Sequence, residues 1–168
     1  MSEDFDRHRR RVLWALPTGL YVIGSRHRDA VNLMTANLVV QVCLEPKLVA
    51  VAIEATARTA ELVSGGGAFS ISLLARTDKA VVRKFVKAVT EVDRGDDGAL
   101  VAMSGQPVHE VGEARLPVLA SAQGYVAAAV TEQRALGSHI LFIGEVTAVG
   151  GEPSEVLRME DTLMHYGG

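Results

Sequence analysis

The sequence predicts a mainly β fold, an antiparallel barrel with helical additions. Three observations predict it. Six or more segments carry strand patterning, and most are joined by short hairpin-like turns. Only two or three segments carry apolar residues at helical spacing. The regular strand–helix alternation of a doubly wound sheet is missing.

Asp4 to Leu16 reads as a helix, with Val12, Leu13 and Leu16 on a face with Phe5 and Pro17 as its stop. Gly19 to Gly24 ("GLYVIG") is a strand, "RHRD" a polar turn, and Ala30 to Thr35 the returning strand. A third strand runs from Leu38 to Leu44, and its apolar run reads as buried. Pro46 marks the turn "LEPK", and Lys47 to Glu54 ("KLVAVAIE") is a fourth strand. Then the period changes. "TARTAELVSGGG" has a Thr start, apolar residues at helical spacing, and Gly65 to Gly67 as its stop. Ala68 to Leu74 ("AFSISLL") alternates as a strand, and Asp78 to Val89 reads as a helix carrying Val81, Val82, Phe85 and Val89. "EVDRGDDGA" reads as an exposed loop. Strands at Leu116 to Ser121, Tyr125 to Glu132 and His139 to Val149 follow, and the tail "RMEDTLMHYGG" shows no regular pattern. No repeat or low-complexity linker divides the 168 residues, so a single domain over residues 1–168 is expected.

Composition excludes several function classes. Hydrophobic residues make up 48% and charged residues 22%, enough for a full core and unlike a disordered chain. A formal net charge of −3 argues against a nucleic-acid partner, and the basic run Arg7 to Arg11 reads as a solvated helix face. No apolar run approaches the roughly 18 residues of a membrane span. The charged N-terminus does not resemble a secretion signal. Cys43, the single cysteine, cannot form an internal disulfide, reads as a small buried hydrophobe, and makes a cytoplasmic location the expectation.

Familiar chemical motifs are missing. Gly65 to Gly67 follows a helix instead of opening one, so it is no dinucleotide fingerprint, and no Walker-type loop occurs. Asp93, Asp96 and Asp97 miss the alternating positions of a calcium loop. His8, His27, His109, His139 and His165 show no ligand spacing, so no metal is expected. No nucleophile elbow is present.

Three segments remain that could act together. The first is "NLMTANLVVQV", Asn32 to Val42, which places Asn32, Thr35, Asn37 and Gln41 along apolar strands. Neutral polar groups buried there need partners, from the protein or from a ligand. The second is "EATART", Glu54 to Thr59, where a strand ends and a helix begins. Amide N–H groups at a helix start beside Thr56, Arg58 and Thr59 suit a phosphate; alternatively Thr56 is an N-cap and Arg58 faces solvent. The third is "GSHILFIGEV", where His139 opens a strand in a structural or a functional role.

In order and spacing, "LPTGLYVIGS", "NLMTANLVVQVCLEPKLVAVAIE", "TARTAELVSGGGAFSISLLA" and "GSHILFIGEVTAV" resemble the flavin reductase domain family. The resemblance runs from about Leu16 to about Val149. It implies an antiparallel six-stranded split β-barrel of Greek-key type, the FMN-binding split-barrel fold. It also implies a homodimer that binds FMN, or FAD, and uses NADH or NADPH to reduce it. Reduced flavin would pass in some members to a monooxygenase component; in others it stays as a prosthetic group.

By the same resemblance, Met34, Thr35, Ala36, Asn37 and Gln41 would embrace the flavin, with Thr18 from the first motif. Thr56, Arg58 and Thr59 would hold its phosphate. Ser72, within the strand Ser70 to Leu74, would line it, and Lys84 and Phe85 would lie close by. His139 would stand near the nicotinamide. Ser138 stands where the family usually has Asp, Asn37 and Leu38 where it often has small hydroxyl residues, and Ser72 where Asn is frequent.

The chemistry is consistent with that set. An isoalloxazine ring needs apolar cover on its faces and donors and acceptors at its pyrimidine edge, which amides and strand backbone supply. The hydride chemistry belongs to the cofactor, so no catalytic side chain is assigned and His139 is read as a positioner. The leading expectation is an NAD(P)H-dependent flavin oxidoreductase. The alternatives are an FMN electron carrier without NAD(P)H activity of its own, a deazaflavin protein, and a barrel without flavin.

Overall fold

Turn chemistry sets the register of the sheet. In a computed structural model that describes residues 3–164, α1 (Glu3–Trp14) leads into β1 (Tyr21–His27). The chain reverses at Arg28, whose φ of 56° suits the tight turn at Arg28–Asp29, and returns as β2 (Ala30–Ala36). Then come β3 (Val39–Cys43), β4 (Leu48–Glu54), α2 (Arg58–Gly66) and β5 (Ala68–Leu73). Helix α2 stops where Gly67 enters the left-handed region at φ 68° and its N–H bonds to the Val63 carbonyl. A short α3 (Lys79–Val82) continues as a 3-10 turn over Arg83–Phe85. Strands β6 (Val92–Arg94), β7 (Leu100–Met103), β8 (Gln106–Val111), β9 (Leu116–Leu119), β10 (Gly124–Leu136) and β11 (His139–Gly151) complete the β structure, and a second 3-10 turn covers Met159–Asp161.

All paired strands are antiparallel. They form a seven-stranded sheet in the order β2-β1-β5-β10-β11-β4-β3 and a smaller sheet β6-β7-β8-β9. The mainly β antiparallel architecture is as predicted, with one strand more in the main sheet than the expected six. Strand β5 shows why the alternation mattered. Phe69 and Ile71 enter one apolar cluster with Val51, Ile53 and Phe142. Ser70 and Ser72 point the other way: Ser70 Oγ donates to the Pro117 carbonyl at 2.7 Å, and Ser72 Oγ accepts from the Leu119 amide at 3.2 Å. These bonds tie the main sheet to β9. The approach is so close that a Cβ on Gly24 would lie 2.0 Å from the Pro117 oxygen. A second cluster holds Leu20, Leu33, Phe85, Met103 and Leu157. Each such large side chain contributes about 1.5–3 kcal/mol by leaving water.

Four expectations need correction. Strand β3 is not buried: Val40, Val42 and Leu44 are 58%, 49% and 71% exposed, because β3 is an edge strand paired only to β4. The helix expected over Asp78 to Val89 ends at Val82, and the Val89 amide instead donates to Asn32 Oδ1 at 2.8 Å. "EVDRGDDGA" is exposed but not all loop; Val92–Arg94 pairs with β7, and Glu91 and the reversal from Gly95 to Ala99 are irregular. The tail is structured despite its lack of a sequence pattern, since Arg158 bridges Gly19 and Met159–Asp161 form a 3-10 turn. Helix α1 carries no buried residue. His165 lies outside the described residues. Among the described residues, no helix is long and apolar enough to cross a membrane.

Candidate functional site

Strands β2 and β3 occupy opposite edges of the main sheet, yet only Asn37 and Leu38 join them. A link of two residues reaches about 10 Å at most. The sheet must therefore curl until its edges nearly meet, and the place where they fail to pair is the split in the barrel. A cleft opens there. Met34, Thr35, Ala36, Asn37 and Leu38 form one wall, and Ala52 and Glu54 of β4 form the next. Leu20 and Val86 supply apolar cover, and Met159 and Met164 close the far side.

The polar groups along this stretch differ in the partners they find. Asn32, only 2% exposed, donates from Nδ2 to Thr59 Oγ1 at 2.8 Å and accepts from the Val89 amide at 2.8 Å. It joins β2, α2 and the segment after the 3-10 turn. The Thr35 hydroxyl donates to the Val82 carbonyl at 2.6 Å. Asn37, although buried, donates only a long 3.4 Å bond to Thr18 Oγ1.

Beyond Glu54 the strand gives way to helix α2. The Ala57 N–H donates to the Glu54 carbonyl, and the Ala55 N–H donates to the Ser138 carbonyl, both at 2.9 Å. Ala57, not Thr56, is the N-cap, and no side chain caps the first turn. The Ala60 amide donates to the Ala57 carbonyl at 3.0 Å, and the amides ahead of it, of Arg58 and Thr59, are the orphan donors of the first turn. Arg58 is exposed beside them and pairs with Glu61 at 2.5 Å. On the neighbouring strand, His139 stands directly opposite Glu54, with Nδ1 2.9 Å from Ser138 Oγ.

The tail is fastened to the same region. The Met159 amide donates to the Thr18 carbonyl, and the Leu20 amide to the Leu157 carbonyl, both at 3.0 Å. Asp161 is held by the Arg158 amide at 3.0 Å and by Arg76 at 2.7 Å. The Arg158 amide bond, and after it the Arg76 guanidinium, hold the Asp161 carboxyl below its ordinary range despite some desolvation. Burial pushes the Tyr21 phenol up, so it stays neutral behind Ala36, its partner across β1 and β2.

The structure thus brings Met34, Thr35, Ala36 and Asn37 to one cleft, with Thr18 behind Asn37. Thr56, Arg58 and His139 follow from Glu54 along the chain or across the ladder. Five predicted residues stand elsewhere. Gln41 is exposed on the edge strand and bonds the Cys43 carbonyl. Thr59 is fully buried, its hydroxyl engaged by Asn32. Ser72 faces β9, because it lies on the opposite side of β5 from Ile71. Phe85 is core, since the 3-10 turn points it inward, and Lys84 beside it is exposed. Val86, Met159 and Met164 were missed. Their place in the cleft depends on contacts distant in the chain. Among the described residues, no group of three His, Cys, Asp or Glu could hold a metal ion.

Comparison with known proteins gives a consistent picture. The family model described as "Flavin reductase like domain" matches residues 13–168. The chain is 31% identical to a high molecular weight rubredoxin of Moorella thermoacetica, over 85% of this chain and 62% of that protein. It therefore spans less than two thirds of that relative. It is 30% identical to the NADH-dependent FMN reductase AsuE2 of Streptomyces nodosus subsp. asukaensis, over 82% and 70% of the two chains. Among solved structures, the flavin reductase PheA2 in its native state superposes with a TM-score of 0.76 at 26% identity, covering 100% of both chains. The NADH:FAD oxidoreductase SgcE6 of Streptomyces globisporus C-1027, solved with NAD and FAD fragments, superposes with a TM-score of 0.76 at 25% identity, over 94% and 90% of the two chains.

Proposed function

The chain belongs to the flavin reductase like domain family, and from that premise we propose that it is an NAD(P)H-dependent flavin oxidoreductase that binds FMN, with FAD as the alternative. The observation that carries this reading is the cleft at the barrel split. Its donor set fits a flat, neutral, heteroaromatic ring. Leu20, Val86, Met159 and Met164 offer apolar cover, and Ala36 adds no bulk. Asn37 brings an amide whose intramolecular bond is long, so a ring carbonyl or ring N–H can take its place. Thr18 and Asn37 would hold that edge together.

Thr56, Arg58 and the leading amides of α2 would hold the phosphate. Thr59 serves the same helix from behind, through Asn32. Bound flavin supplies the hydride acceptor. The chain's own task is to position and to exclude water, which needs no side-chain acid or base. His139 would orient the nicotinamide cofactor at the rim, and Glu54 opposite it sets a negative charge there. A carboxylate at that rim disfavours an additional phosphate, and therefore favours NADH over NADPH.

A homodimer belongs to this reading. Val40 and Val42 of β3 and Leu44 just after it are exposed, and α1 exposes Phe5, Val12, Leu13 and Trp14. Patches of this kind favour association. The partner in reaction would be a monooxygenase component that receives reduced flavin, in the cytoplasm. A second reading, an FMN electron carrier without NAD(P)H activity, draws support from the likeness to a protein named a rubredoxin rather than a reductase.

Anaerobic titration of the FMN-loaded protein separates the two. Bleaching of the flavin band by NADH is expected; a band that NADH and NADPH both leave unchanged leaves the carrier reading. His139→Ala should raise the Michaelis constant for NADH more than it weakens FMN binding, and untouched reduction kinetics would remove that role.

A further inference from the structure

Of the five methionines in the chain, three line the one cleft. Met34 comes from β2, Met159 from the last 3-10 turn and Met164 from the residues after it. Each is half-buried, so each reaches both the cleft and the solvent that enters it. Met103 is the natural contrast: it is 0% exposed, inside the core with Phe85 and Leu157. Leucine would cover an apolar ring about as well as methionine does. What the thioether adds is polarizability and a reactive sulfur.

We propose that Met34, Met159 and Met164 are a peroxide-sensitive modification site, and that their oxidation to sulfoxides loosens the flavin. The inference rests on the flavin reading above. Reduced flavin that meets oxygen instead of its acceptor gives up two electrons and two protons, leaving oxidised flavin and hydrogen peroxide. A methionine sulfur then donates an electron pair to one peroxide oxygen. The O–O bond breaks, an S–O bond forms, and the second oxygen leaves as water with both protons. Each sulfoxide places a strong dipole where the ring needs apolar cover. Wasted turnover would thereby reduce the protein's hold on its own flavin, and methionine sulfoxide reductases would restore it.

Two treatments test this, each read by peptide mass spectrometry and by FMN fluorescence titration. In the first, flavin-free protein is exposed to hydrogen peroxide; in the second, protein turns over NADH and FMN in air, with or without catalase. Met34, Met159 and Met164 should gain one oxygen each more than about tenfold faster than Met103, catalase should suppress this during turnover, and FMN affinity should fall about tenfold. The Met34→Leu, Met159→Leu, Met164→Leu variant should bind FMN equally before and after peroxide. Oxidation of Met103 at the same rate, or unchanged FMN affinity after full oxidation of the three, overturns the inference. Loss of affinity with added peroxide but no oxidation during turnover also overturns it, as a response to the protein's own product. Untreated protein that binds no FMN instead overturns the flavin reading.

Discussion

Asn32 and Asn37 lie five positions apart and meet opposite fates. Both are buried, at 2% and 7% exposure. Asn32 spends its amide inside the protein, with bonds of 2.8 Å on both of its polar atoms. Asn37 reaches only Thr18, at 3.4 Å, and lines the cleft. The same side chain is a structural clamp within β2 and, in the reading proposed above, a recognition group just past its end. Burial alone does not tell them apart; the quality of the partners does.

The comparison can be broken at either end. Asn32→Leu carries the largest expected effect. It strands the buried Thr59 hydroxyl and leaves the half-buried Val89 amide without its acceptor, at about 1–3 kcal/mol for the first and less for the second, so urea unfolding should show a loss of about 3 kcal/mol. A loss below about 1 kcal/mol would mean that the clamp is not one. Asn37→Ala should do the reverse. Stability should move by less than about 0.5 kcal/mol, whereas FMN binding weakens about tenfold.

Arg58→Ala sharpens the contrast at the far end of the ligand. FMN affinity should fall about fivefold while riboflavin, which has no phosphate, binds as before; unchanged FMN affinity ends the phosphate assignment. Stability should hardly change, because the Arg58–Glu61 pair is exposed. Glu54→Gln should have a smaller effect, raising the kcat/KM for NADPH relative to NADH about threefold. Acid should act least, through Asp161 in the tail. A carboxyl lowered in the folded state stabilises fully above its ordinary value, 3.8 for Asp161, and loses that contribution as pH falls through the lower folded value. Proteolysis of the tail should therefore be faster in Asp161→Asn at neutral pH, and the difference should close only below the ordinary carboxylate range.

Much of the fold was legible because alternation is local. In β5, Phe69 and Ile71 against Ser70 and Ser72 state the two faces outright. What local pattern does not carry is whether a face is covered. Val40 and Val42 look like core and are exposed, since edge or centre is decided by pairing far along the chain. The site divides in the same way. The stretch from Met34 to Asn37 was legible from its motif. Ser72 lies on the expected strand but faces β9, Phe85 lies in a 3-10 turn past the end of the expected helix and faces the core, and Val86, one residue on, is the one at the cleft. Met159 and Met164 carried no local signal, because the bridges that deliver them pair Arg158 with Gly19 and Val156 with Ala75.

Those bridges also set a timetable. During synthesis the chain emerges from its N-terminal end. Leu20, the Met34–Leu38 wall, Glu54 and Val86 are all outside the ribosome long before Met159 exists. Strands β10 and β11, which close the gap between β5 and β4, come later still, and the residues from Val156 to Met164 come after them. A nascent barrel thus passes through an interval in which every strand is made and the cleft lacks one side. Flavin present in that interval would meet a half-built pocket, so loading should follow the docking of the tail and serve as a signal that the C-terminal crossing has been made.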